Sequence, residues 1–199
     1  MVTMLVRRER PADVPVVRAV VAAAFARAGQ PDPPIEVRLL DELRGDESWL
    51  PALSLVAVEH RADGGDTDSQ GRGGSDGGDG SDSGGGGDVV GHVVCTRAYL
   101  DDLPVLGLGP LAVRPDRHGR GVGTALMHAV LGAAEALDEP LVALLGDPAY
   151  YQRFGLRPSQ PLGVVAPDPR WGRYFQVRVL GTDPPTPGTF RYAEPFNQL

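Results

Sequence analysis

Residues 106–134 read LGLGPLAVRPDRHGRGVGTALMHAVLGAA and divide into a strand, a glycine loop and a helix. Leu106–Val113 is almost wholly apolar, as a strand buried on both faces is. Arg114-Pro115 ends it, because proline cannot continue a ladder. Gly119, Gly121 and Gly123 then alternate with Arg120 and Val122. Glycines at that density let the backbone curl and leave its N–H groups bare. A helix begins there, with Val122, Ala125, Leu126, Ala129, Val130, Ala133 and Leu137 at helical spacing on one face. Bare N–H groups at a helix N-terminus, backed by the positive end of its dipole, suit a phosphate.

Two phosphate-binding motifs are excluded. A P-loop needs a Gly-Lys pair, and the chain contains no lysine. The dinucleotide fingerprint needs a third glycine or alanine where Thr124 stands. The upstream Gly107-Leu108-Gly109-Pro110-Leu111-Ala112 fits that fingerprint, but no helix follows it.

The run His118-Gly119-Arg120-Gly121-Val122-Gly123 resembles the acetyl-CoA motif of the GCN5-related N-acetyltransferase (GNAT) superfamily. His118 stands where that family prefers glutamine or arginine. Backbone donors make the pyrophosphate contact in the family, so His118 is expected to alter affinity without abolishing binding. Downstream, Leu141–Leu145 reads as a short buried strand, and Gly146-Asp147-Pro148-Ala149-Tyr150-Tyr151-Gln152-Arg153-Phe154-Gly155-Leu156 follows it. GNAT enzymes often carry Y-x-x-x-G-F here; Tyr151 stands four residues before Gly155, and Leu156 replaces the phenylalanine. LGPLAV together with GDPAYYQRFG resembles one bacterial branch of predicted N-acetyltransferases. The likeness runs over most of the chain outside one insertion.

The resemblance implies an α/β GNAT fold: a mixed central sheet flanked by helices, with two parallel strands splayed at the cofactor site. It implies acetyl-CoA as cosubstrate, held by Leu111, Ala112, Val113, His118, Gly119, Arg120, Gly121, Val122, Gly123 and Thr124, with no metal. It implies direct transfer to an amine in a ternary complex, with backbone donors around Leu111–Val113 polarising the carbonyl and Tyr151 as the acid for the thiolate. A phenol with pKa near ~10 stays protonated at neutral pH and can still donate. Against this stands packing of Tyr151 on the cofactor. Tyr150, about 100° away on a helix, is expected to face elsewhere. Glu36, Glu59, His92 and Asp101 are possible bases, and none is nominated. Cys95, inside a strand, reads as a buried structural thiol. The acceptor is a small-molecule amine or a protein N-terminus. The other reading is a catalytically inactive CoA-binding sensor or interaction module.

Composition bounds the rest. At 199 residues one domain, 1–199, is the default. Residues 61–88 hold seven aspartates, two arginines and twelve glycines and no large apolar side chain. They read as a disordered loop enlarging a β-hairpin, because they bury too little to offset ordering entropy. They carry −5 of the formal −7, leaving about −2 and no case for nucleic acid. The single cysteine excludes a disulfide framework. Arg7–Ala26 caricatures a signal peptide, but Glu9, Asp13, Pro15 and Arg18 make it a soluble amphipathic helix. No run is long enough to span a membrane, and the expected location is cytoplasmic. A homodimer is compatible with the sequence and is not required by it.

Around the motif core, Met4–Arg8, Leu53–Glu59, Val89–Thr96 and Tyr174–Leu180 read as strands. Val14 to about Ala28 reads as a helix capped by Asp13, and Ile35–Arg44 as a helix burying Ile35, Leu39, Leu40 and Leu43. The strands at Leu106–Val113 and Leu141–Leu145, joined by the helix, form a right-handed βαβ unit.

Overall fold

The computed structural model describes residues 2–27, 29, 33–61, 87–182 and 186–198. The stretch read as a disordered loop, 61–88, lies outside the described residues except at its ends. In chain order the elements are β1 (Val2–Arg8), α1 (Val14–Phe25), α2 (Ile35–Gly45), β2 (Trp49–Arg61), β3 (Asp88–Leu100), β4 (Leu103–Leu108), β5 (Ala112–Val113), α3 (Val122–Ala136), β6 (Leu141–Leu145), α4 (Pro148–Tyr151), β7 (Arg157–Pro158), β8 (Val164–Val165), β9 (Phe175–Val179) and β10 (Gly188–Arg191), with short 3-10 turns between them.

The sheet runs β1-β2-β3-β4-β6-β9-β7, with β5 and β10 also on β3, and β8 on β10. Along the main path only β4 and β6 are parallel neighbours. Successive strand residues point to opposite faces, and this alternation builds two cores. Val56, Val58, Val94 and Ala112 meet α1 and α2 on one face. Leu55, Ala57, Val93 and Cys95 meet α3 on the other. Among the described residues, no helix is long and apolar enough to cross a membrane.

The apolar stretch Leu106–Val113 is two strands instead of one. Cys95 pairs with Leu108 and His92 with Ala112, so three residues, Gly109–Leu111, face two, Val93 and Val94. This is a bulge. Pro110 has no N–H to give a ladder, and Gly109 already donates to the Val94 carbonyl at 2.9 Å. Beyond the bulge the parallel pairing has ended: β4 and β6 match only at Leu106↔Val142 and Gly107↔Ala143. The two strands part there, and the gap opens beside β5.

Three local expectations change. Asp13 does not cap α1 with its side chain. Its carboxylate takes two N–H groups of Arg7, at 2.6 and 2.9 Å, and the backbone N–H of Arg10 at 2.7 Å. A bidentate charged pair outcompetes a neutral cap. On α2, Val37 is buried with Leu39, Leu40 and Leu43, whereas Ile35 at the helix start is exposed. On α3 the buried residues are Val122, Leu126, Met127, Val130, Leu131 and Ala134. Alanines at 125, 129 and 133 fit the period equally well, but the larger side chains turn inward. Leu137 follows the last helical residue and is 50% exposed.

Candidate active site

The loop between β5 and α3 is folded by its own residues. Gly119 and Gly121 have φ of +73° and +82°, where an L side chain is strained. Gly121 is the residue before α3, and the first bond of that helix runs from the Ala125 N–H to the Gly121 carbonyl at 2.9 Å. The N–H groups of Val122, Gly123 and Thr124 therefore have no partner within the helix. His118 closes the loop onto β5: its Nε2 donates to the Val113 carbonyl at 2.9 Å. Arg117 ties it to β2, with Nε 2.8 Å from Glu59.

β5 presents its backbone to the same place. In an antiparallel ladder alternate residues turn their N–H and C=O toward the neighbour. The Arg114 N–H donates to the Val90 carbonyl at 2.9 Å, which sets the phase. Ala112 thus faces β3, while the Val113 N–H turns away from it, into the gap that Leu111 also lines.

On the far side of the gap Asp147 starts α4, accepting the Ala149 N–H at 2.9 Å. Gly155, at φ +80°, ends the turn that follows. Tyr151 lays its ring over Gly146, where a Cβ would stand 2.3 Å from Cε2. Burial, and secondarily Tyr150, push its phenol up to about 12. Tyr150 does not face elsewhere. Its hydroxyl lies so close to Gly123 that a Cβ there would approach it to 2.6 Å. The short α4 turns two adjacent rings edge to face, 4.9 Å apart, and both enter one cleft.

That cleft has a volume of about 640 Å³. It is lined by Leu111, Val113, His118, Gly119, Gly121, Val122, Gly123, Thr124 and Tyr151 from the expected set. Ala112 and Arg120 are not brought into it: Ala112 is buried in the core under α1, and Arg120 is exposed on the loop. Ala24 and Phe25 at the end of α1, Arg117, Tyr150 and Arg153 complete the lining. The sequence reading missed Phe25 and Arg153. Phe25 is the sole aromatic residue of an alanine- and valine-rich helix, and Arg153 stands three residues after Tyr150. Tyr192, also missed, packs its ring on Gly107, the last residue at which β4 pairs with β6. Its phenol is pushed up by burial first and then by Tyr151 and Cys95.

None of the four possible bases lines the cleft. Glu59 is paired with Arg117. Asp101 accepts the Thr189 N–H at 2.9 Å. Glu36 lies at the start of α2. His92 is fully buried, with Nε2 3.0 Å from Ser54 Oγ and 3.2 Å from Glu9 Oε2. Ser54 Oγ donates to Glu9 Oε2 at 2.5 Å, and Arg44 Nη2 to Glu9 Oε1 at 2.7 Å. Burial pulls His92 down, so its neutral form is kept. Burial alone would raise Glu9, but the hydrogen bonds of His92 and Ser54 and the Arg44 charge outweigh it and hold the carboxyl at about 2. Cys95 is buried, and burial raises its thiol, leaving it inert.

Comparison with known proteins finds a match to the acetyltransferase (GNAT) family over residues 81–156. The chain is 28% identical to the uncharacterized N-acetyltransferase YhbS of Escherichia coli K12 over 200 residues, covering 98% of this chain and all of that one. It is 31% identical to the uncharacterized N-acetyltransferase YjhQ of the same organism over 162 residues, 79% of this chain and 72% of that one. The crystal structure of E. coli YhbS in complex with CoA superposes with a TM-score of 0.77 at 25% identity, over 99% of this chain and 93% of that one. A GNAT family acetyltransferase from Brucella melitensis in complex with acetyl-CoA gives 0.68 at 28% identity, over 98% of each.

Proposed function

The chain belongs to the acetyltransferase (GNAT) family, and we propose that it transfers an acetyl group from acetyl-CoA to a primary amine by direct attack in a ternary complex. One observation carries this reading. The unpartnered N–H groups at the start of α3, the outward-turned backbone of β5 and the Tyr151 ring all open on a single cleft. The two structures with CoA and acetyl-CoA bound support placing that cosubstrate there.

In this reading the N–H groups of Val122, Gly123 and Thr124 bind the pyrophosphate, and Gly119 and Gly121 let the backbone approach it. Leu111 and the Val113 N–H face the pantetheine arm, the Val113 carbonyl being held by His118, and an N–H among them stabilises the oxyanion. When bound, acetyl-CoA supplies an activated thioester: the amine nitrogen bonds to the carbonyl carbon and the C–S bond breaks. Tyr151 holds a hydrogen bond to the departing sulfur. With its phenol pushed up to about 12, Tyr151 stays protonated at neutral pH and keeps its O–H as a donor. Tyr151 therefore acts by donating a hydrogen bond, and the amine's proton leaves through water. Its strength comes from burial, which excludes competing solvent.

The acceptor is a small-molecule amine or a protein N-terminus. A chain with a single, buried cysteine needs no oxidising compartment, and the cytoplasm is the location in this reading. The test is thiol release from acetyl-CoA across a panel of amines and N-terminal peptides. Amine-dependent release is expected. Tight CoA binding with no release for any acceptor would instead support a catalytically inactive binding module.

A further inference from the structure

Two arginines line the cleft, and they are not equivalent. Arg117 is neutralised, with Nε 2.8 Å from Glu59 and Nη1 2.6 Å from Asp116. Arg153 is not. Its Nε donates to the Tyr150 carbonyl at 2.9 Å, and its guanidinium carbon sits 4.9 Å from the centroid of the Tyr150 ring. Among the described residues neither of its Nη groups meets a carboxylate. Stacking holds a guanidinium by its face and leaves its outer edge available for a planar, bidentate anion contact.

The same Tyr150 ring reaches the glycine loop, with its hydroxyl against Gly123. The stacked guanidinium is therefore fixed beside the bare N–H groups of α3 by a single rigid side chain. Elsewhere the buried or half-buried arginines are taken up: Arg7 by Asp13, Arg44 by Glu9, Arg97 by Glu139 and Arg178 by Glu135. In a chain of net charge −7, a multiply anionic ligand gains from a local cation, and of the two arginines lining the cleft Arg153 is the one that meets no acid among the described residues.

We propose that Arg153, held on the Tyr150 ring, binds a phosphate of the CoA nucleotide through its free Nη groups. This rests on the reading that acetyl-CoA occupies the cleft. Backbone amides of the loop offer a phosphate neutral donors; Arg153 adds a charged, planar one. The phosphate is the pyrophosphate or the adenosine 3′-phosphate, and both present the same chemistry.

The experiment is calorimetric titration of the full chain with CoA, dephospho-CoA and pantetheine, needing no acceptor. Wild type is compared with Arg153→Gln and with Arg170→Gln, whose arginine pairs with Asp168 on the surface. Arg153→Gln is expected to weaken CoA about 10–100-fold, as loss of a charge-assisted contact does. The defect shrinks as salt rises. It vanishes with dephospho-CoA if the 3′-phosphate is the partner and persists if the pyrophosphate is. Pantetheine binding and Arg170→Gln stay at wild-type level. Unchanged CoA affinity in Arg153→Gln overturns the proposal, as does an equal loss for pantetheine, which would mean that Arg153 only props Tyr150. Failure of the wild type to bind CoA at all would instead overturn the reading on which the proposal rests.

Discussion

Ala112 separates two polar regions that share one rung of the sheet. Opposite it on β3 stands His92, part of the buried group with Glu9, Ser54 and Arg44. On either side of it in the chain stand Leu111 and Val113, which line the cleft. By residue type the buried group looks the more catalytic, since it joins a serine, a histidine and a carboxylate. Yet its capacity is spent. Both Glu9 oxygens accept hydrogen bonds, Ser54 bridges Glu9 and His92, and only His92 Nδ1 lacks a partner. The cleft is built from backbone N–H groups, two tyrosines and a stacked arginine, and among the described residues the N–H groups at the start of α3, the two phenols and the Arg153 Nη groups are unspent. A group already satisfied inside the protein has little left for a ligand. Spare hydrogen-bonding capacity, more than residue type, separates the two regions.

The comparison breaks most sharply at Tyr151. Tyr151→Phe removes one donor from the cleft and is expected to lower the single-turnover rate about 10²–10³-fold with little change in acetyl-CoA affinity. Rates within a few-fold of wild type would leave Tyr151 as packing. The next largest effect is expected from Gly121→Glu. Open space surrounds the Cβ position, but φ of +82° strains any side chain there and a negative charge opposes the proposed anion site. CoA affinity should fall at least ~100-fold. Gly121→Asn, which tolerates the left-handed backbone, should fall much less. Calorimetry on both variants decides it.

The saturated group should answer in stability instead. Glu9→Gln leaves Arg44 without its main partner and is expected to cost about 3 kcal/mol, read by urea unfolding, with turnover per folded molecule retained. Its pH dependence has a definite sign. The folded carboxyl sits at about 2 against an ordinary 4.5, so its contribution is complete above about 4.5 and is lost as pH falls toward 2. His92 acts at higher pH in the same direction. Its folded pKa lies below 6.5, so the unfolded chain gains the proton first and stability starts to fall below that value. Glu9→Gln should flatten the lower limb, and His92→Gln the upper. The smallest effect is expected at Tyr150→Phe: a few-fold loss of cofactor affinity, from the contact with Gly123, at unchanged single-turnover rate. A larger chemical defect there than in Tyr151→Phe would reverse the two assignments.

What could be read in advance was what lies close in sequence. The glycines before α3 and the tyrosine four residues before Gly155 are local patterns, and eight of the ten residues assigned to cofactor binding line the cleft together with Tyr151. The bulge was not readable, because an unbroken apolar run hides a change of partner at Pro110. On α3 the expected Val122, Leu126 and Val130 are buried and Ala129 and Ala133 pack beside them, but Met127, Leu131 and Ala134 were not foreseen because alanine satisfies every periodicity. The Glu9 group was invisible for another reason: Glu9 meets partners 35, 45 and 83 residues away. Tyr150 was expected on the wrong side because a four-residue helix is too short for an angular rule to predict where a ring settles.

Every side-chain ion pair described above uses an arginine, apart from the His92 contact, and all 19 strongly basic side chains of the sequence are arginines. A guanidinium stays protonated at any pH the enzyme meets, so it has no lone pair to attack a thioester. A lysine exposes a small neutral fraction that can. An acetyltransferase whose ionic framework contains no primary amine has no lysine on which its own cosubstrate could leave a stable amide. Its side chains form no stable acetamide with the reagent it handles, and peptide mass spectra after long incubation with acetyl-CoA should show no lasting acetyl group on side-chain nitrogen.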